Sequence, residues 1–99
     1  MKRYVIERDL PGVGRLSEKQ LNVVRTASNG ALNEAGPGIQ WVESLVTDDC
    51  IYCHYLAEDE EIVRDHARRA GIPATKVCEV RSIVDPLGAH AQSRGRDDA

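Results

Sequence analysis

His54 and Glu43 are the side chains of this 99-residue chain with the strongest claim on chemistry. An imidazole beside a carboxylate is a ligand pair for nickel or zinc, and it is equally an acid-base couple in which the carboxylate orients the ring. The two are distant in sequence, so a fold element must bring them together. The stretch Ile39 to Ala57 does so. Ile39, Trp41 and Leu45 alternate with Val42 and Val46, and Ile51 to Leu56 is rich in β-branched and aromatic residues, the period-2 pattern of half-buried strands. With Asp48 and Asp49 as a tight turn, Thr47 faces Cys50, and the register sets Leu45 opposite Tyr52, Ser44 opposite Cys53 and Glu43 opposite His54. Strict alternation predicts one face of Trp41, Glu43, Leu45, Tyr52, His54 and Leu56, and a core face of Val42, Ser44, Val46, Ile51, Cys53 and Tyr55. As structure alone, the Glu43 and His54 pair is worth about 0.2 to 1 kcal/mol of sheet stability.

The remaining elements follow from their own signals. Lys2 to Asp9 reads as a first strand, with Tyr4 and Ile6 on one face and Val5 and Glu7 on the other. Leu10 to Arg15 is a loop marked by Pro11, Gly12 and Gly14. Ser17 with Gln20 forms a capping-box pattern, and Leu16 with Leu21 a hydrophobic staple, so a helix starts there. Its apolar stripe of Leu21, Val24, Ala27, Ser28, Ala31, Leu32 and Ala35 ends at Gly36 and Pro37. A second helix opens on the acids of Glu58 to Glu61, carries Ile62, Val63, His66, Ala67 and Ala70 on one face, and closes at Gly71. Lys76 to Asp85 is the last strand, with Cys78, Val80, Ser82 and Val84 expected toward the core and Val77, Glu79, Arg81 and Ile83 on a mixed face. The composition turns polar and small after Pro86, which divides the chain into a domain of residues 1–86 and a flexible tail of residues 87–99.

Strand, helix, strand, strand, helix, strand is the ferredoxin-like α+β pattern. Right-handed crossovers place both helices on one face of a four-stranded antiparallel sheet, with the first and third strands central. The uncovered face would carry Val5, Glu7, Trp41, Glu43, Leu45, Tyr52, His54, Glu79, Arg81 and Ile83. That set is too apolar for water and too polar for a sealed core. A homodimer packed sheet to sheet, a dimeric α+β barrel, satisfies both. Its pocket would be lined by Glu7, Trp41, Tyr52, Glu79 and Arg81.

Composition narrows the function classes. A net charge of −3 without a basic cluster argues against nucleic acid, whose phosphates require one. No apolar run is long enough for a membrane span, and Met1-Lys2-Arg3 leads straight into a strand, so a cytoplasmic protein is expected. Three cysteines without an export signal are expected to be reduced thiols.

Several motifs read better as structure than as chemistry. Cys50-Ile51-Tyr52-Cys53-His54 spells a haem-attachment string, but strand residues three apart point to opposite faces and cannot share one haem. The same geometry opposes a zinc knuckle, for which Cys78 has no partner nearby in sequence. Gly12-Val13-Gly14 lacks the third glycine of a dinucleotide turn and fits a tight connection instead. Cys53 and Cys78 sit on expected core faces as small hydrophobes. His66 fits a part-buried histidine held by a hydrogen bond; on an exposed helix edge it would join Asp65 or Asp59 at a surface metal site. His90 lies in the tail, and Asp85 before Pro86 ends a strand.

The phrases Tyr4-Val-Ile-Glu-Arg-Asp-Leu-Pro-Gly12, Gly38-Ile-Gln-Trp-Val42, Ser44 to Asp48, Ile51-Tyr-Cys53, His66-Ala-Arg-Arg-Ala-Gly71, Pro73-Ala74 and Ile83-Val-Asp-Pro86 together resemble a family of small bacterial proteins. That family was first catalogued as a domain of unknown function and includes a nickel-binding member with a dimeric ferredoxin-like fold. The resemblance implies this fold, dimerisation and a divalent metal such as nickel, and assigns no ligand. His54, Glu43 and His66 are metal candidates from their own chemistry. Two other readings stand beside metal sequestration: a dimeric barrel that binds or transforms a small aromatic or hydrophobic molecule without a cofactor, and a module that only dimerises.

Overall fold

The computed structural model describes residues 1–89. Strand β1 (Lys2–Asp9) is followed by a 3₁₀ turn at Val13–Arg15, helix α1 (Glu18–Ala35), strands β2 (Ile39–Val46) and β3 (Cys50–Ala57), helix α2 (Glu60–Ala70) and strand β4 (Lys76–Glu79). The order across the sheet is β2-β3-β1-β4, every neighbour antiparallel, so the first and third strands are central as expected. A separate two-stranded ribbon, β5 (Val84–Asp85) and β6 (Gly88–Ala89), crosses the expected domain boundary at residue 86. Residues 90–99, His90 among them, lie outside the described residues.

Each helix begins where a side chain supplies an acceptor to the free N–H groups of its first turn. Ser17 accepts from the Gln20 N–H, and the Gln20 side chain accepts in return from the Ser17 N–H. Asp59 caps α2 by accepting from the Ile62 N–H at 3.0 Å. Gly36 and Gly71 end the helices with φ of 84° and 69°, a backbone region in which a β-carbon is strained.

The core lies between the sheet and the helices. Tyr4, Ile6, Ile51, Cys53, Tyr55, Ala57 and Val63 form one cluster with Val13 and Ile39. Along β3 burial alternates residue by residue, because one face meets the helices and the other does not. Gly14 presses on the hairpin turn: a β-carbon there would come within 2.8 Å of the Thr47 carbonyl oxygen and the Asp48 α-carbon. Its N–H donates to the Asp48 carbonyl, and the Gly12 N–H to the Asp49 carboxylate. The Gly12-Val13-Gly14 segment is thus a tight connection, docked on the turn that sets the hairpin register.

Two expectations about faces are corrected. A β-bulge between Trp41 and Glu43 leaves Val42 without a cross-strand partner and pairs Trp41 with Tyr55. Trp41 therefore belongs to the helix-side face and leaves the open-face pocket assigned to it; Val42 is exposed. Strand β4 ends at Glu79, six residues short of its expected end at Asp85, and its phase is reversed. Cys78 pairs with Val5 and is exposed on the open face, whereas Glu79 pairs with Tyr4 and lies on the helix side. Arg81 lies beyond the strand, 82% exposed and paired with Glu79 at 3.5 Å. Glu79 and Arg81 therefore do not share a pocket with Glu7 and Tyr52.

Candidate functional site

The open face is built by alternation from all four strands of the sheet, with β4 adding Cys78 at the edge. Strand β1 contributes Val5, Glu7 and Asp9, β3 contributes Cys50, Tyr52 and His54, and β2 contributes Glu43 and Leu45; the registers pair Asp9 with Cys50, Glu7 with Tyr52, and Val5 with His54. This concentrates carboxylates, a thiol and an imidazole on the side that no helix covers.

The hairpin register is as read from the sequence, with Glu43 opposite His54. His54 Nδ1 lies 3.5 Å from Glu43 Oε2, an imidazole-carboxylate contact in which the ring is largely shielded and the carboxylate is exposed. At the other end of the face, the ligand atoms of Glu7, Asp9 and Cys50 all lie within 4.8 Å of one another. The Cys50 thiol donates to Asp9 Oδ1 at 3.3 Å. That hydrogen bond, with the neighbouring carboxylate charge, pushes the thiol pKa up from its ordinary value. A metal ion bound there would displace the shared proton and turn the opposing charges into ligands. Two carboxylates and a thiolate make a donor set that suits nickel or zinc better than magnesium.

Cys50 and His54 are four strand residues apart, about 13 Å at the ordinary rise per residue, and their side chains run parallel. One ion does not bridge them within a single chain. The His54 and Glu43 pair and the Glu7, Asp9 and Cys50 group are therefore two places on one face.

His66 is not part of either. It is fully buried beneath the opposite face of the sheet, with Nε2 at 2.9 Å from the Tyr55 hydroxyl and 3.4 Å from Ser28 Oγ. Burial, reinforced by the Arg8 charge, lowers its pKa to about 4, so the ring is neutral at pH 7. The surface metal site it would have shared with Asp65 or Asp59 is ruled out: Asp65 is held by Arg69 at 2.7 Å and Asp59 by its capping bond. The buried-histidine alternative holds, except that Nδ1 has no hydrogen-bond partner among the described residues.

Sequence reasoning missed Asp9 and Cys50 as a pair, and it missed Arg8 altogether. The signal for Asp9 was present, because it continues the Val5 and Glu7 phase of β1, but its partner on β3 depends on the register between strands distant in sequence. Arg8 is 1% exposed. Its Nη1 donates to the carbonyls of Ile72 at 3.2 Å and Pro73 at 2.9 Å, its Nε to Cys53 Sγ at 3.3 Å and its Nη2 to the Tyr55 hydroxyl at 3.4 Å. A charged residue at a core phase has no sequence signature that separates it from a surface one.

Comparison with known proteins agrees with this architecture. The crystal structure of SCO4226 from Streptomyces coelicolor A3(2) superposes with a TM-score of 0.65 at 22% identity, over 88% of this chain and 99% of that one. It shares the fold. No curated protein matches the sequence. The family model described as "Nickel responsive protein SCO4226-like" matches residues 4–80, which hold β1 from Tyr4 onward, β2 to β4, both helices and the Glu7, Asp9, Cys50, Glu43 and His54 positions. By that match the chain belongs to the SCO4226-like family of nickel-responsive proteins.

Proposed function

We propose that the protein binds a divalent transition metal, nickel foremost, at Glu7, Asp9 and Cys50, and serves cytoplasmic sequestration or homeostasis of that ion. The convergence of these three ligand atoms within 4.8 Å carries the reading. The family description supports nickel as the ion. The Glu43 and His54 pair stiffens the hairpin beside the site.

In this reading the working form is a homodimer joined through the open faces. Leu45 is 51% exposed there opposite half-buried Tyr52, and half-buried Val5 and Leu56 continue the band along the strands. An apolar band rimmed by ligating groups is suited to a second copy, whose side chains would complete the coordination left open by three ligands.

The test is isothermal titration of the tag-free, chelator-stripped protein with nickel, compared with zinc, cobalt and magnesium. Micromolar or tighter nickel binding at a defined stoichiometry is expected, with magnesium far weaker. Cys50→Ser or Asp9→Asn lowers nickel affinity by about tenfold or more, as removal of a direct ligand should. His54→Ala leaves it within about twofold. Millimolar or absent nickel binding overturns the proposal, and loss in His54→Ala alone moves the site to the hairpin pair.

A further inference from the structure

On the opposite side of the sheet, between α1 and strands β1, β2 and β3, lies a cavity of about 290 Å³. Its walls are hydrocarbon from Leu21, Val24, Ile51 and the indole of Trp41, and its polar lining includes buried Arg8, exposed Arg25 and the Ser28 and Tyr55 hydroxyls. Among the described residues no carboxylate lines it, although the chain carries a net charge of −3.

Arg8 is the telling residue. It is a buried cation, and no carboxylate forms an ion pair with it among the described residues. Burying a guanidinium without a counter-charge is costly, and proteins ordinarily pair such a group. Its four hydrogen bonds go to neutral acceptors and leave one Nη2 hydrogen without an acceptor among the described residues. Anchoring the Ile72-Pro73 segment accounts for Nη1 alone. The Nη2 edge, the neighbouring hydroxyls and the apolar walls match a ligand with one negative charge and a compact hydrocarbon body.

We infer that this cavity is a binding site for a small monocarboxylic acid, its carboxylate held by Arg8 and its apolar or aromatic body seated against Trp41 and α1. The site is separate from the metal-binding face and independent of it. Arg25 is exposed and its Nη1 donates to the Asn22 side chain, which leaves Arg8 as the buried guanidinium of the lining, so a single buried charge is balanced by a monocarboxylate rather than by a phosphate ester. The cavity volume, just below that of pockets for drug-sized ligands, selects an acid of about the size of phenylacetate.

Trp41 is the only tryptophan in the chain, so its fluorescence reports directly on the cavity. The metal-free full chain is titrated with phenylacetate and octanoate, with phenylacetamide as the uncharged match and phenyl phosphate as the dianion. Saturable change in Trp41 emission by at least one acid is expected, with phenylacetate binding at least about tenfold tighter than the amide, about 1.4 kcal/mol. Val24→Phe, which fills the cavity from α1, abolishes the change. Arg8→Met removes the preference for the acid; if that variant does not fold, the acid-to-amide ratio and Val24→Phe still decide. Equal binding of acid and amide overturns the proposal, because a purely structural Arg8 would give that result. Absence of saturable binding by either acid in the millimolar range also overturns it, as does unchanged binding in Val24→Phe. Tighter binding of phenyl phosphate overturns the carboxylate assignment.

Discussion

The two faces of the one sheet differ in charge and in how that charge is solvated. Strand β1 supplies both. Tyr4, Ile6 and Arg8 point toward the helices, while Val5, Glu7 and Asp9 point away. The acids are at or near water, where ionised carboxylates are cheap to keep and ready for a cation. The guanidinium is buried, where it holds backbone carbonyls and faces a cavity that no acid lines among the described residues. Alternation thus separates opposite charges across the thickness of a single strand. Had Arg8 shared a phase with Glu7 or Asp9, the groups would neutralise one another and neither proposed site would keep its charge.

The contrast can be broken most forcefully from the buried side. Arg8→Ala should destabilise the protein by about 4 kcal/mol in urea unfolding, since it leaves a cavity and strands the Ile72 and Pro73 carbonyls. A loss below about 1 kcal/mol would show that Arg8 is not integral to the core.

Acid should reveal the same side next. His66 is neutral in the folded protein, with a pKa lowered to about 4, and titrates near 6.5 when unfolded. Between those values the unfolded chain binds more protons, so stability rises with pH through this window and is flat above it. Falling from pH 7 to pH 4 should remove about 3 kcal/mol from this group. His66→Gln should flatten that slope relative to the native protein, as denaturant melts at a series of pH values would show. An unchanged slope would assign the acid sensitivity elsewhere.

The exposed side should respond far less. Glu43→Gln removes the charge facing His54 and should cost about 0.5 kcal/mol, a loss diminished by salt. A loss above about 2 kcal/mol would mean that the open face is buried in the working assembly, and would sharpen the case for a dimer. Sedimentation of a Leu45→Glu variant checks that directly: under the proposed open-face dimer the native protein is expected to sediment as a dimer and the variant as a monomer.

Local signals carried most of the fold. Ser17 with Gln20, the Gly36 and Gly71 stops and the Asp48-Asp49 turn each act through neighbours in sequence, so helix limits and hairpin register were readable from residue types. The pairing of Glu43 with His54 followed from the turn. Trp41 was misplaced because Val42 is as apolar as its neighbours, and nothing in an apolar run marks the residue that will bulge. Strand β4 was misphased for a related reason. Val77, Cys78 and Val80 suit either face, and the choice is made by pairing with β1.

By itself, then, the sequence determined the order of elements, the ferredoxin-like arrangement and the presence of acids, thiols and imidazoles on strands, because propensity, capping and alternation act over a few residues. Only the tertiary structure decided which of those groups meet. Asp9 reaches Cys50 through the register between β1 and β3, and Arg8, His66 and Tyr55 come together where two helices close over the sheet. Such contacts join residues far apart in the chain, and their geometry is set by how whole elements pack.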